Sequence, residues 1–162
     1  MSICDFANII KSEISEAGDL ALIEEQIDAK GSGTFAKRLI TGQAAEKYFE
    51  AVYKTVPPFQ DCQLVNATAL GCGFDYRMLT TTDSFLAVEV KGITAPSGAV
   101  QLTSKEYNVA GLFRDRFFLF VVRNFAEKPF HTLFQDPVKS DLVFQRRETV
   151  TVQVSWATAI GR

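Results

Sequence analysis

Three charged residues in the middle of the chain have the types and spacing needed for chemistry at a phosphate group. Asp75 and Glu89 supply two carboxylates, and Lys91 stands two residues after Glu89. Mg²⁺ prefers carboxylate oxygens, and a metal ion held by them can lower the pKa of a water molecule and polarise a phosphoryl group. A nearby ammonium group can stabilise the charge that builds on the phosphate. The set therefore predicts metal-assisted hydrolysis of a phosphoester.

The pairing of two predicted strands decides whether these residues meet. Residues 73–80 and 85–93 are the strands, and Thr82 lies in the turn between them. A hairpin centred on Thr82 makes Asp75 and Glu89 direct cross-strand neighbours. A shift by one residue would mix the polar and apolar faces, so the sequence favours this register. The other face then pairs only apolar residues: Phe74 with Val90, Tyr76 with Val88, and Met78 with Leu86.

This register has a chemical consequence. Cross-strand neighbours have Cβ atoms about 5 Å apart, so the carboxylates of Asp75 and Glu89 repel each other unless a cation lies between them. Lys91 projects from the same strand face as Glu89. A Glu-x-Lys tripeptide alone is common and usually forms loose ion pairs on a solvated sheet face. The matching Asp75 favours a metal site instead.

Glu46 is a further candidate because it falls within an apolar stripe of the helix predicted over residues 34–55. A buried carboxylate is costly unless it is paired or coordinates a metal. Gly42, one turn earlier, is expected to let this helix approach another element closely. The alternative is that Glu46 reaches solvent at the edge of the stripe and pairs with Lys47. The stripe consists of Phe35, Leu39, Gly42, Glu46, Phe49 and Tyr53.

Other polar residues have simpler interpretations. Thr103 and Glu106 have the spacing of a capping box at the start of a helix, which favours a structural role, although Glu106 is also a candidate for a position behind the site. Gln101, just before that helix, would either point toward the site or cap the sheet edge. His131, the single histidine, has a loop-like context and is expected to be structural or exposed rather than catalytic.

The elements that position these residues follow from hydrophobic periodicity and turn signals. From residue 34 to residue 124 the order is helix, three strands, helix, strand. Because the second helix links two strands, it predicts a parallel pair in one sheet. Residues 142–144 and 149–156 are candidate extra strands, and Trp156 is expected in the core. The predicted helices cover residues 5–29, 34–55 and 103–113, and the predicted strands cover residues 63–68, 73–80, 85–93 and 117–124.

Composition limits the class of protein. The chain has 162 residues, a net charge of -2 and a pI of about 5.5, which is mild evidence against tight DNA binding without a partner. Three cysteines without metal-ligand spacing predict a reduced, cytoplasmic environment. The longest apolar run, residues 117–122, is too short to cross a membrane, and no signal peptide is evident.

Four strings of the sequence resemble a known family. They are Thr41-Gly-Gln-Ala-Ala-Glu46, Gly73-Phe-Asp75-Tyr76, Val88-Glu-Val-Lys-Gly92 and Leu102-Thr-Ser-Lys-Glu106. Over about residues 37–125 the chain resembles the NO VEIN C-terminal-type domain of the PD-(D/E)XK nuclease superfamily, which is related to Mrr-like restriction endonucleases. The proline of the superfamily motif is absent, since Gly73 and Phe74 precede Asp75. The resemblance implies an α/β (α+β) fold with a mixed sheet and a restriction-endonuclease-like core in residues 34–162. The first 30 residues match no part of the family, and the helix that apolar spacing predicts there makes residues 1–33 an N-terminal helical extension.

The resemblance also implies roles for individual residues. Glu46 corresponds to the helical acid, Asp75 and Glu89 to the metal-binding carboxylates, and Lys91 to the catalytic lysine. The backbone carbonyl of Val90 would supply another metal ligand. The expected cofactor is Mg²⁺, for which Mn²⁺ substitutes. The expected activity is endonucleolytic hydrolysis of DNA in a restriction or phage-defence system, with a helicase or ATPase, or a second copy of the chain, as partner.

Two other functions remain open at this stage. The domain could bind nucleic acid or protein without cutting, which the acidic pI and the lack of a basic stripe favour. It could also be a purely structural or oligomerisation domain that uses its N-terminal helix as a contact surface. Metal titration separates the first alternative from a nuclease, and the size of the particle in solution tests the second.

Overall fold

The computed structural model of the chain describes residues 32–161, in which two helices pack on opposite faces of one five-stranded sheet. The mixed α and β composition predicted from the sequence is therefore confirmed. The helix predicted over residues 5–29 lies outside the described residues. So does almost all of the extension predicted over residues 1–33.

The two helices begin and end close to where the sequence predicts. α1 spans Ser32–Val52 and continues into a 3-10 turn, Tyr53–Thr55, before the two prolines. α2 spans Ser104–Phe113. Its N-cap, Thr103, forms the predicted capping box, which satisfies backbone N–H groups that a helix start leaves unpaired.

The sheet contains both antiparallel and parallel pairs. Among the described strands, the order in the sheet follows the chain, and only β3 and β4, which α2 connects, run parallel to each other. The predicted crossover is therefore confirmed. The strands are β1 (Gln63–Asn66), β2 (Tyr76–Leu79), β3 (Phe85–Ile93), β4 (Phe117–Arg123) and β5 (Phe130–Gln135).

The register of the β2–β3 hairpin is the one predicted from the sequence. Tyr76 lies opposite Val88, and Leu79 lies opposite Phe85. The turn closes where Thr80 donates its backbone N–H to the carbonyl of Ser84 at 2.9 Å. The regular ladder ends at Tyr76, one residue before Asp75 and Glu89 would pair.

The core lies on both sides of the sheet. β4 is buried from Phe117 to Val122, as predicted for a central strand covered on both faces. On the α1 face, the ring of Phe49 lies 4.9 Å from that of Phe120 and 5.0 Å from that of Tyr76. On the α2 face, Ala110 packs with residues from β3, β4 and the segment between β1 and β2. Phe74 belongs to this second cluster, whereas Val90 packs on the α1 face, so the prediction that the two residues pair on one face is wrong.

α1 approaches the sheet most closely at Gly92 of β3. A Cβ atom at Gly92 would lie 2.6 Å from the backbone oxygen of Thr41 and 3.2 Å from the Cβ atom of Ala45. A Cβ atom at Gly42 would meet nothing within 4 Å. The prediction that Gly42 permits a close approach is therefore wrong, because the glycine that makes room belongs to the strand and not to the helix.

Two predictions for the last third of the chain, the extra strands and the core position of Trp156, are wrong. The loop-like context expected for His131 is also wrong, although its packed position agrees with the expectation that it is structural. His131 lies in β5, where its ring stacks on Phe120 and its Nδ1 atom shares a hydrogen bond of 3.1 Å with the hydroxyl of Tyr48. Residues 142–144 and 149–156 form no strand. Trp156 is 93% exposed and is not a core residue.

Neither helix in the described part of the chain is long and apolar enough to cross a membrane.

Candidate active site

Asp75 stands at the point where β2 leaves its regular pairing with β3. Its backbone N–H donates to the carbonyl of Val88 at 3.0 Å, and its own carbonyl accepts the N–H of Ala67 at 2.7 Å. The side-chain oxygen Oδ2 accepts the backbone N–H of Val90 at 2.8 Å. A carboxylate therefore takes the place of a backbone acceptor, and this bond fixes Asp75 against β3.

Gly73 allows the chain to enter this position. Its φ of +93° lies in a region that residues with side chains rarely adopt. A Cβ atom there would lie 2.9 Å from Cγ2 of Val109 and 3.4 Å from Cγ of Lys105, both on α2. The glycine thus brings the strand entrance under α2 and places Asp75 beside that helix.

Glu89 and Lys91 lie on the face of β3 that α2 covers. Glu89 is only 3% exposed, and its Oε1 atom is 2.5 Å from Nζ of Lys91. The same Nζ atom is 2.9 Å from Oε2 of Glu106. Lys91 therefore joins a carboxylate of the sheet to a carboxylate of the helix.

Glu106 has two roles through one oxygen atom. Its Oε2 accepts the backbone N–H of Thr103 at 3.0 Å, which completes the capping box, and it also accepts from Lys91. The N–H of Glu106 donates to Oγ1 of Thr103 at 3.2 Å. Capping and holding the lysine are thus combined, whereas the sequence favoured capping alone.

Two carboxylates of this cluster, those of Glu89 and Asp75, are destabilised as anions. Burial, and then repulsion from Asp75, raise the pKa of Glu89 to about 8, although the Lys91 ammonium opposes this. Burial also raises the pKa of Asp75 above its ordinary value, against the lowering effects of the Val90 N–H and Lys91. Burial alone would lower the pKa of Lys91, but its ion pairs with Glu89 and Glu106 outweigh this and raise it. Buried acids with shifted pKa values next to a single cation are typical of functional sites.

Glu46 lies on α1 at the border of this cluster. Burial raises its pKa, and so does repulsion, first from Asp75 and then from Glu50, while Lys91 lowers it. Glu46 is half-buried at the edge of the apolar face of α1 and does not lie at its centre. The predicted stripe is displaced, because Leu39 is 53% exposed and the buried residues are Ala44, Ala45, Tyr48, Phe49 and Val52.

Sequence reasoning missed Glu50. Its Oε1 atom accepts the hydroxyl of Tyr76 at 2.8 Å, which with burial raises the pKa of that hydroxyl. Its spacing of four residues from Glu46, which places both on one helix face, was the available signal.

Gln101 is exposed, and the described structure gives it no hydrogen bond to the cluster. The structure brings together five charged side chains, with the Val90 backbone between them. They are Asp75, Glu89, Lys91, Glu106 and Glu46.

The donor set fits a magnesium ion in its chemistry. Asp75 and Glu89 offer hard oxygen atoms, and a bound cation would relieve the repulsion and burial that raise their pKa values. Within residues 32–161 there is no group of three or more His, Cys, Asp and Glu side chains that could hold a metal. A magnesium site here would therefore have two carboxylate ligands, and the backbone carbonyl of Val90 and water molecules would fill the remaining positions.

Comparison with known proteins identifies one family. The family model described as "Protein NO VEIN, C-terminal" matches residues 45–134, which is more than half of the chain and includes every member of the charged cluster. No curated protein and no solved structure gives a significant match.

Proposed function

The chain belongs to the NO VEIN C-terminal family, and from this premise we propose that it is a magnesium-dependent endonuclease of the PD-(D/E)XK type. Its substrate is DNA, its place is a restriction or phage-defence system, and Mn²⁺ can replace Mg²⁺. The observation that carries the proposal is the contact of Lys91 with both Glu89 and Glu106, beside the fixed carboxylate of Asp75.

The cofactor would be held by the carboxylates of Asp75 and Glu89 and by the backbone carbonyl of Val90. When bound there, Mg²⁺ supplies a water molecule of lowered pKa and polarises the phosphate. The N–H of Val90 keeps the Asp75 carboxylate in one orientation. Preorganised ligands of this kind lower the cost of assembling the site during the reaction.

Lys91 is the residue that acts on the phosphate. Oε2 of Glu106 lies 2.9 Å from the ammonium of Lys91 and would hold it in place if Glu89 turned to a metal ion. Lys91 can therefore keep its position and its charge while it orients the attacking water or stabilises the negative phosphate oxygens. Glu46 approaches from α1 and adds negative charge at the border of the site, consistent with its role as the helical acid.

A non-cleaving module that binds nucleic acid or protein is the second candidate. It is favoured by the net charge of -2 and by the lack of a three-ligand metal cluster in the described residues. DNA carries a dense negative charge, so an acidic domain needs bound cations or a basic partner to approach it. A helicase or ATPase is the kind of partner that we propose for either activity.

The decisive experiment measures cleavage of plasmid and of single-stranded DNA in Mg²⁺ and in Mn²⁺. We expect the wild type and Lys139→Ala to cut, because Lys139 is exposed and outside the cluster. We expect Lys91→Ala to be inactive while its circular dichroism is unchanged. Equal cutting by Lys91→Ala would disprove the assignment.

Calorimetric titration with Mg²⁺ separates the two candidates if no variant cuts. Binding that disappears in Asp75→Asn would support a nuclease that needs its partner. DNA binding without any binding of Mg²⁺ or Mn²⁺ would support the non-cleaving module.

A further inference from the structure

Residues 145–161 form an extended arm that leaves the domain. Every residue of the arm is exposed, and it contains no helix or strand. Its start is anchored, because the ring of Phe144 packs against that of Tyr107 on α2, with centroids 5.4 Å apart. The arm is therefore fixed at one end, and no part of it pairs with a strand.

The arm has the sequence pattern of a half-buried strand. Large apolar residues alternate with polar ones from residue 149 to residue 156, and this period of two is typical of a strand with one covered face. No charged residue occurs between residue 149 and residue 161. Segments of this kind pair readily with exposed sheet edges. The apolar side chains and their exposed fractions are Val150 (93%), Val152 (85%), Val154 (72%) and Trp156 (93%).

The sheet offers an edge of matching length at β5. β5 pairs only with β4 in the described sheet, so its other side is open. The N–H of Asp136 donates to the carbonyl of Phe117 at 3.0 Å, which makes this a hydrogen-bonded pair of the antiparallel ladder. Since such pairs alternate, the N–H groups of His131, Leu133 and Gln135 point outward.

We propose that the arm of one chain adds as a strand to the β5 edge of a second copy. Within a single chain the arm does not pair with its own β5, although both are present. A second copy supplies the same edge, and mutual exchange of two arms gives a closed, symmetric dimer. Neither the arm beyond residue 149 nor β5 carries a formal charge, so no repulsion opposes the pairing.

β5 suits the arm better than the other open edge of the sheet. β1 is only four residues long, and a charged residue, Asp61, lies just before it. β5 has six residues, which is closer to the length of the alternating stretch of the arm. In the paired state the valine face of the arm would lie beside His131 and Leu133, on the side of the sheet that α1 covers, and Gln153, on the opposite face, would remain in solvent. Association through the arm is independent of the proposed nuclease activity.

Light scattering after size exclusion tests the proposal on the full chain over a range of concentrations. We expect a dimer whose dissociation constant rises at least about tenfold in Val152→Lys, because a lysine on the covered face would be buried. The matched control is Gln153→Lys, which places the same charge on the exposed face and should leave the dimer intact. Gln135→Pro, which removes an outward N–H of β5, should also weaken the dimer.

The single tryptophan reports on the arm directly, since Trp156 lies within it. On dimerisation its emission should move to shorter wavelength and acrylamide should quench it less, in proportion to the dimer fraction. A monomer at every concentration, with Trp156 accessible or shielded, would overturn the proposal. So would a dimer that is unchanged by Val152→Lys, or one that Gln153→Lys weakens equally.

Discussion

The carboxylate of Asp75 accepts the backbone N–H of Val90 at 2.8 Å, across the end of the β2–β3 hairpin. This bond places the acid beside Glu89 even though the strand ladder has already ended at Tyr76. The side chain of Asp75 thus joins the two strands at the end of the hairpin away from the turn, and it also supplies a charged group to the cluster. Its two roles can be separated, because an amide retains the acceptor and loses the charge.

Asp75→Asn should abolish DNA cleavage and preserve the fold. The amide oxygen can still accept from Val90, so the free energy of unfolding should stay within about 1 kcal/mol of the wild type. Asp75→Ala removes the acceptor as well and leaves a partly buried N–H unpaired, at a cost of about 1–3 kcal/mol. Urea denaturation and a cleavage assay on both variants check this. Cleavage by Asp75→Asn at the wild-type rate would show that the charge is not needed.

Glu106→Gln should lower cleavage at least about tenfold, equivalent to about 1.4 kcal/mol of transition-state stabilisation. Glutamine at this position can still complete a capping box, so α2 should remain stable, whereas Lys91 loses an anionic partner 2.9 Å away. Thr103→Ala is the matched control. It removes the cap, at a cost of about 1 kcal/mol, and leaves Lys91 with both carboxylates. The opposite ranking of the two variants in activity would refute the positioning role of Glu106.

The free energy of unfolding should fall as the pH rises between about 5 and 8. The pKa of Glu89 is about 8 in the folded chain against an ordinary 4.5, so the folded state binds more protons across this interval. The stability from the neutral acid is complete below about pH 4.5 and is lost as the pH passes through about 8. Asp75 and Glu46, with raised pKa values, act in the same direction.

Glu89→Gln should flatten this dependence without removing it, and the exposed control Glu127→Gln should leave it unchanged. Denaturation curves at several pH values provide the measurement. Added Mg²⁺ should raise stability most at the alkaline end, because it binds the ionised carboxylates and not the protonated ones. A slope equal to that of the wild type in Glu89→Gln would assign the dependence to other groups.

The parts of the fold that could be predicted from the sequence are those that local pattern determines. β3 was predicted with its observed bounds, because a turn precedes it and a loop of small residues follows it. The hairpin register followed from alternation of apolar and polar residues. The place of Phe74 could not be predicted, since the contact of Asp75 with Val90 replaces the expected ladder and the positive φ of Gly73 brings the strand entrance under α2.

The structures of the arm and of β5 could not be predicted for a different reason. Residues 149–156 have a strand-like pattern, but a strand also needs a partner, and local pattern does not supply one within this chain. β5 lacks clear alternation and contains the histidine, yet its six residues pair with β4 along their full length. The contact of Lys91 with Glu106 could be anticipated only in part, because it joins residues whose proximity depends on how α2 lies on the sheet.

Gly92→Ala should destabilise the chain and reduce cleavage, whereas Gly42→Ala should stabilise it. The added methyl group at Gly92 would lie 2.6 Å from the carbonyl oxygen of Thr41, and backbone at that distance must move, typically at a cost of about 1–3 kcal/mol. Because the shift pushes α1 away from β3 next to Lys91, Glu46 should move from the site as well. At Gly42 the same methyl group meets nothing, and alanine in a helix gains about 0.5–1 kcal/mol over glycine. If α1 packs against Gly92, urea denaturation should show changes in the free energy of unfolding of opposite sign for the two variants. The cleavage assay is run on both variants. Equal stability of both variants would mean that the helix does not rest on the strand at this point.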